Sequence, residues 1–181
     1  MISAIGVVEM RSISKGYETA DQMLKTSPVE VHHMKPICPG KFLIVMSGDT
    51  ADVQAAMETA KVEAGEFRIS DFELHGVHPD IIDGLKRRPS SLPVNALGIV
   101  ETATVSPGIF ALNEALKQCD IHVKKMNLGM AIGGKFLAVF TGSVSDVEQG
   151  MKVFVSSMDP KRIIHHAVLR SPSEEIIQHF R

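Results

Sequence analysis

The stretch AIGVVEMRSISKG at residues 4–16 recurs in the same chain as ALGIVETATVSPG at residues 96–108. Farther along each copy, GKFLIVMSGDTADVQAAM (40–57) returns as GKFLAVFTGSVSDVEQGM (134–151), with nine of eighteen positions identical. The spacing between matching residues grows by two between the first pair of stretches and the second. Matches that keep their order over such lengths indicate an internal duplication, so one repeat predicts the fold of both.

Each repeat predicts the same element order, β-α-β-β-α-β. A short strand of alternating small and apolar residues opens it, and the run KFLIVMSG (41–48) or its counterpart is apolar enough for a strand buried on both faces. We place the N-caps of the first helices at Ser14 and Ser106 and those of the second helices at Asp49 and Ser143. The order is typical of a ferredoxin-like α+β sandwich.

Pro, Ser and charged residues are concentrated between the repeats, in KRRPSSLPVN at residues 86–95. Such a composition is typical of an exposed linker. We therefore expect a first domain at residues 1–87, a linker at 88–95 and a second domain at 96–181.

Composition excludes several classes of protein. Of 181 residues, 44% are hydrophobic and 22% charged, as in globular chains, and a net charge of −2 provides no basic field for nucleic acid. No apolar run approaches the roughly 18 residues of a membrane span, and the opening residues lack the pattern of a secretory signal. Two cysteines fit a reducing compartment. We expect a soluble cytosolic protein.

Motifs for catalysis and for metal chelation within one chain are absent. There is no G-x-S-x-G elbow, P-loop or dinucleotide fingerprint, so we do not expect an enzyme. Two pairs of adjacent histidines fall on predicted strands, where alternation sends neighbouring side chains to opposite faces. We therefore expect exposed edge histidines and no zinc site from the six candidates His32, His33, His75, His78, His165 and His166.

The quoted motifs resemble the bacterial microcompartment (BMC) shell domain. That domain opens with a strand of the form A-x-G-x-V-E, continues with a helix that ends in Lys, and places a glycine-containing loop before its second helix. The resemblance covers residues 4–177 and occurs in both repeats, so it implies two tandem ferredoxin-like shell domains. In the tandem class of this family three chains form a flat pseudohexameric tile, which implies a homotrimer in a cytoplasmic microcompartment shell.

In this family the loop between the second and third strands lines the central pore of the tile. The first repeat has Ile37, Cys38, Pro39 and Gly40 there, and a lone cysteine in this loop resembles the iron–sulfur shell proteins of propanediol-utilisation microcompartments. A [4Fe–4S] cluster normally takes about four thiolates, which a single chain does not offer. The resemblance therefore implies one cluster per trimer, bound by Cys38 of three subunits and passing electrons across the shell.

Each of the two loops also has an alternative interpretation. Cys38 is alternatively a small residue of a metal-free pore that passes metabolites, or an inert thiol. The loop of the second repeat is two residues longer and carries no ligand side chain, so it either narrows the pore or is a flexible hairpin connection. Its predicted pore-lining residues are Gly129, Met130, Ala131, Ile132 and Gly133. Cys119 aligns with Ser27, and we expect it in a packed or edge position.

Three charged residues match the lysines and arginine that family members use at tile-to-tile edges: Lys25, Lys117 and Arg170. The lysines are equally explained as cations at helix C-termini, worth roughly 0.3–1 kcal/mol each. The resemblance implies other shell proteins as partners, with an encapsulated redox enzyme as a further one, and neither nucleic acid nor a membrane. A hypothesis from a different class is a small-molecule-binding regulator built on a ferredoxin-like pair.

Overall fold

The structure is a computed structural model that describes residues 2–88 and 90–180. The chain divides into two compact units, Met1–Val77 and His78–Arg181. The predicted linker at residues 88–95, of which Pro89 lies outside the described residues, belongs to the second of these units.

The first unit is an antiparallel sheet of four strands with two long helices. Its elements are β1 (Ala4–Met10), α1 (Ile13–Thr26), β2 (Glu30–Ile37), β3 (Lys41–Gly48), α2 (Thr50–Ala64), a 3-10 turn (Gly65–Phe67) and β4 (Arg68–His75). The strand order in the sheet is β2-β3-β1-β4. Strand β1 is buried along its whole length, whereas β2 is an edge strand with a mixed burial pattern.

The second unit repeats this arrangement. Its elements are α3 (Pro79–Leu85), β5 (Ala96–Thr102), α4 (Val105–Gln118), β6 (Ile121–Leu128), β7 (Phe136–Gly142), α5 (Val144–Ser156), a 3-10 turn (Pro160–Arg162), β8 (Ile163–Leu169) and α6 (Glu174–Gln178). The strand order is β6-β7-β5-β8. The pairing registers correspond to those of the first unit, and the strands β2 and β6 shift register at the same place, between Val31 and His33 and between Val123 and Lys125. The predicted duplication and β-α-β-β-α-β order are confirmed.

Helix α1 and its counterpart α4 lie unusually close to their sheets. A Cβ atom at Gly16 would fall 2.2 Å from Cδ1 of Phe42, and one at Gly108 would fall 2.3 Å from Cδ1 of Phe136. Both phenylalanines are fully buried. The glycines matched in the sequence are therefore explained by close packing of helix on ring.

The predicted caps of the first helices were wrong by two residues. Ser12 and Thr104 are the N-caps, and Ser12 accepts a hydrogen bond from the amide of Lys15. Ser106 therefore lies inside α4, where it is nearly buried. The caps of the second helices, Asp49 and Ser143, are as predicted, because each side chain accepts a bond from the amide three residues on.

Within the described residues, no helix combines the length and the apolar character needed to cross a bilayer.

Candidate functional site at the β2–β3 loop

Cys38 lies at the tip of the hairpin formed by β2 and β3. Ile37 pairs with Lys41, which leaves Cys38, Pro39 and Gly40 as an exposed three-residue turn. The peptide bond between Cys38 and Pro39 is cis, and Gly40 has φ +77°, a value that L side chains rarely adopt. Because this turn is exposed, the Cys38 thiol lies at the protein surface and not inside a core.

Ile37 lies beneath this turn and is only 4% exposed. Its predicted place in the pore-lining set is thus not matched by an accessible side chain in this chain. Of the first-loop residues, Cys38, Pro39 and Gly40 are the ones that reach the surface. Ile37 instead anchors the last pair of the hairpin to the core, which limits the movement of the cysteine next to it.

A carboxylate on the neighbouring strand is paired with the lysine that follows the turn. Glu9 on β1 has a side chain only 4% exposed, and its Oε2 lies 3.3 Å from Nζ of Lys41. The second unit repeats the pair, with Nζ of Lys135 at 2.7 Å from Oε1 of Glu101. Sequence reasoning missed this feature, although Glu9 and the Gly-Lys-Phe motif recur in both repeats and could have suggested it. The pair ties the loop end of β3 to the centre of the sheet.

The corresponding loop of the second unit is longer and is built from turns. Four of its residues have positive φ angles: Gly129, Ala131, Gly133 and Gly134. The amide of Gly134 donates to the carbonyl of Gly129 at 3.2 Å, which closes the loop on itself. Of the residues predicted to line a pore, Met130, Ala131 and Gly133 are exposed, Ile132 is half-buried and Gly129 is buried. The loop has no side chain that binds metals strongly.

Cys119 is remote from the loop of its own unit, as expected. It is the C-cap of α4, two residues before β6 begins, and it is half-buried. Strand β6 has eight residues, so its loop end lies roughly 23 Å farther along the sheet. Burial raises the pKa of the Cys119 thiol, and the charge of Asp146 raises it further. Cys119 therefore has the properties of a packed thiol.

No group of three or more His, Cys, Asp or Glu residues capable of holding a metal ion occurs among residues 2–88 and 90–180. A metal at Cys38 would therefore need ligands from other chains. The exposed position of the thiol fits that requirement, because a buried sulfur could not reach a ligand set shared between chains. The residues present are compatible with a shared cluster, with one thiolate contributed by each chain.

The histidines follow the prediction in part. His165 and His166 are exposed on the edge strand β8, but His33 on β2 is only 9% exposed. Nε2 of His32 lies 2.7 Å from Oγ of Ser47. His78 is the N-cap of α3, where Nδ1 accepts from the amide of Asp80. The exposed position predicted for all of them is wrong for His33, which is buried opposite its pairing partner Val45, and it is matched only in part by His32 and His78, which are half-buried.

The three predicted edge residues lie at element ends and are partly or largely exposed. Lys25 and Lys117 occupy the last turns of α1 and α4 and pair with Asp21 and Glu114, while Nε of Arg170, just after β8, lies 2.6 Å from Oε1 of Glu148. Their side chains are 65%, 38% and 73% exposed, so each is available to a neighbouring molecule.

Comparison with known proteins identifies the family. The BMC domain family model matches residues 4–76 and 96–172. The chain is 34% identical over 177 residues to the bacterial microcompartment shell protein PduT of Citrobacter freundii, with 97% of this chain and 96% of PduT covered. It is 28% identical to the carboxysome assembly protein CcmO of Synechocystis, with 94% of this chain and 61% of CcmO covered.

Two solved structures of microcompartment proteins resemble this chain. The crystal structure of a microcompartment protein from Desulfitobacterium hafniense DCB matches with a TM-score of 0.94 and 32% identity, over 98% of this chain and 99% of that one. The fused permuted hexameric shell protein MSM0275 shares the fold, with a TM-score of 0.60 at 19% identity, over 86% of this chain and 80% of that one. Both repeats of the present chain match the domain, and shell proteins of this kind are structural and not enzymatic. The chain therefore belongs to the BMC-domain family and is a shell protein of a bacterial microcompartment, a compartment of the cytoplasm.

Proposed function

We propose that three copies of this chain form a pseudohexameric tile of the shell, and that Cys38 of the three copies binds one [4Fe–4S] cluster at its centre. The observation that carries the proposal is the exposed Cys38 at the tip of a tightly anchored hairpin. The similarity to PduT over almost the whole chain and the duplicated domain support the same assembly.

The number of thiolates follows from the duplication. Only the first unit has a cysteine in its loop, so a ring of three chains brings three thiolates together and leaves one iron without a cysteine ligand. Water or a small ligand fits that position. When bound, the cluster would carry single electrons between the lumen of the compartment and the cytosol.

The residues around Cys38 determine how the site is held. Ile37 and the pair between Glu9 and Lys41 fix the base of the hairpin, and Gly40 allows the chain to turn back immediately after Pro39. A rigid loop loses little conformational entropy when its thiolate becomes a ligand.

Anaerobic purification tests the proposal. We expect a brown trimer of about 59 kDa, three times the 19.7 kDa chain, with about four iron and four sulfide per trimer. Cys38→Ser should abolish the visible absorbance and the iron while the mass of the trimer stays unchanged. Cys119→Ser is the matched control and should keep both.

The results also separate the proposal from its alternative. A colourless, iron-free trimer after anaerobic reconstitution would leave a metal-free pore that passes small metabolites. A monomer under all conditions would contradict the tile itself. Flat hexagonal sheets in negative-stain images, formed together with other shell proteins, are the expected higher assembly.

A further inference from the structure

Two short helices, α3 and α6, occupy equivalent places after the two repeats. Arg68 pairs with β1 at the position where Ile163 pairs with β5, so these two residues are equivalent in the two repeats, and they lie 95 residues apart. Ser70 and His165 are equivalent in the same way. The same spacing of 95 residues makes α3 equivalent to α6. Both helices have an Ile-Ile step followed three residues later by a large apolar residue: Ile81, Ile82 and Leu85 in α3, and Ile176, Ile177 and Phe180 at α6. The duplication thus extends beyond the matched domains.

The two helices differ sharply in burial. In α3 the three apolar residues are at most 9% exposed, because this helix packs against β6 and α4. In α6 no residue is buried, and Ile176 is 41% exposed. Phe180, just after α6, lies below the ammonium of Lys125 at 6.0 Å from the ring centroid. Helix α6 therefore presents the apolar pattern of α3 without its partner surface.

The surface that receives α3 is defined by specific contacts in the second unit. The amide of Val123 on the edge strand β6 donates to Oδ2 of Asp80 at 3.0 Å, and the amide of His78 donates to Oδ1 of Asn113 at 2.9 Å. Gly84 packs against Met126, whose Cε would be 3.1 Å from a Cβ at that glycine. Val123 is 2% exposed and Asn113 is fully buried.

The first unit has the same surface, uncovered. The residues equivalent to Val123, Met126 and Asn113 are Val31, Met34 and Asp21, which follow at the repeat spacing of 92. Val31 is half-buried, Met34 is 38% exposed and the Asp21 side chain is 55% exposed. An edge strand with an adjoining apolar patch is a surface that proteins normally cover.

We infer that α6 of one chain packs on β2 and α1 of the first unit in a second copy, in the way that α3 packs on β6 and α4 within the chain. The inference rests on the proposed trimer and names the contact that closes it. Glu175 takes the place of Asp80 and accepts from the amide of Val31. The amide of Ser173 takes the place of that of His78 and donates to the carboxylate of Asp21. A contact that joins the end of one chain to the start of the next is head-to-tail, and three of them complete a closed ring.

One position departs from the α3 arrangement. His179 stands where α3 has Gly84. In the proposed contact its side chain therefore needs the space that is equivalent to the one Met126 fills beside Gly84. The equivalent Met34 is exposed and flexible, so it can swing aside for the imidazole. We expect the contact between copies to be looser than the one within the chain, so the trimer should dissociate on dilution.

Truncation of the full chain before residue 174 tests the inference directly. Because α6 contributes no buried residue, the second unit should keep its fold, with an unchanged far-UV spectrum apart from the lost helix. Light scattering after size exclusion should show the mass falling to about one third of that of the trimer. Met34→Asp, on the receiving surface, should have the same effect, whereas Val62→Asp, at a residue 79% exposed on α2, should leave the trimer intact.

Hydrogen exchange adds a readout that maps the contact. Amides of β2 around Val31 should exchange slowly in the full-length trimer and at least tenfold faster after truncation. If the full-length protein is a trimer and the truncated protein remains one with unchanged exchange at β2, the inference is wrong and the proposed tile stands. If the full-length protein is never a trimer, the proposed function fails first.

Discussion

Substitution of Gly16 by alanine should destabilise the first unit through one clash. The new methyl carbon would lie 2.2 Å from Cδ1 and 2.9 Å from Cβ of Phe42, whereas carbon atoms in contact are about 3.5–4.0 Å apart. Rotating the ring moves Cδ1 but not Cβ, which is fixed to β3. Helix α1 must therefore move away from the sheet by about 1 Å, and its other contacts loosen.

The expected cost follows from two opposing effects. Overpacking of a core costs about 1–3 kcal/mol, and alanine in place of a helical glycine returns about 0.5–1 kcal/mol. Because the backbone itself must shift, we expect a net loss of about 1–2 kcal/mol in the free energy of unfolding. With a urea m-value of about 1 kcal/mol/M for a unit of this size, the midpoint should fall by about 1–2 M.

The chain supplies its own probe for this measurement. Tyr17 is the sole tyrosine, there is no tryptophan, and the Tyr17 ring lies 4.7 Å from that of Phe42. Tyrosine emission therefore follows the packing of α1 during a urea titration at fixed protein concentration. Gly48→Ala in the same unit is the matched control, because a Cβ atom there would lie no closer than 3.5 Å to any neighbour, and it should shift the midpoint by less than half as much. An unchanged or higher midpoint for Gly16→Ala would refute the close packing.

Three further outcomes are expected. Lys41→Met leaves the buried carboxylate of Glu9 without its cation and should lower the free energy of unfolding by about 1–3 kcal/mol; urea denaturation should show at least half of this loss recovered when Glu9→Gln is added. Lys124→Met removes an ammonium that donates to the carbonyls of Ser90 and Leu92 at 2.7 and 2.6 Å, so subtilisin should cleave the segment 86–95 several-fold faster, and equal cleavage rates would contradict this role. In the iron-free protein at pH 8, a thiol reagent should modify Cys38 about tenfold faster than Cys119, because burial raises the pKa of Cys119 and lowers its thiolate fraction. Intact-mass analysis of the Cys38→Ser and Cys119→Ser variants measures the two modification rates separately.

The duplication made most of the fold predictable from the sequence. Two copies of each pattern confirm one another, so the apolar strand KFLIVMSG and the cap Asp49 could be placed without ambiguity. The first caps were missed because serine occurs both at residue 12 and at residue 14, and either suits a helix start. Strand β1 pairs as far as Met10 and α1 begins at Ile13 with Ser12 as its cap, and the point at which one element ends and the next begins depends on strand pairing that no local pattern reveals.

The candidate site was predictable in part. An exposed cysteine between prolines follows from turn chemistry, but the burial of Ile37 and the pair between Glu9 and Lys41 depend on which strands become neighbours. Helices α3 and α6 escaped prediction because isolated helices of seven and five residues are too short to be stable, so only tertiary contacts support them. What the sequence lacked was therefore the set of contacts between distant segments.

Under the proposed function, duplication would limit the number of metal ligands at the centre of a tile. A ring of six identical units with this loop would bring six thiolates to one axis, more than the four iron atoms of a cubane cluster need. In a tandem chain the second loop can differ from the first, and here it is two residues longer and holds Met130 and three glycines in place of a ligand. The proposed trimer thus presents three thiolates and leaves one iron open to a small ligand. An added cysteine at Met130 should disturb this balance, and a reconstituted Met130→Cys trimer with unchanged iron and an unchanged visible spectrum would show that the second loop lies away from the cluster.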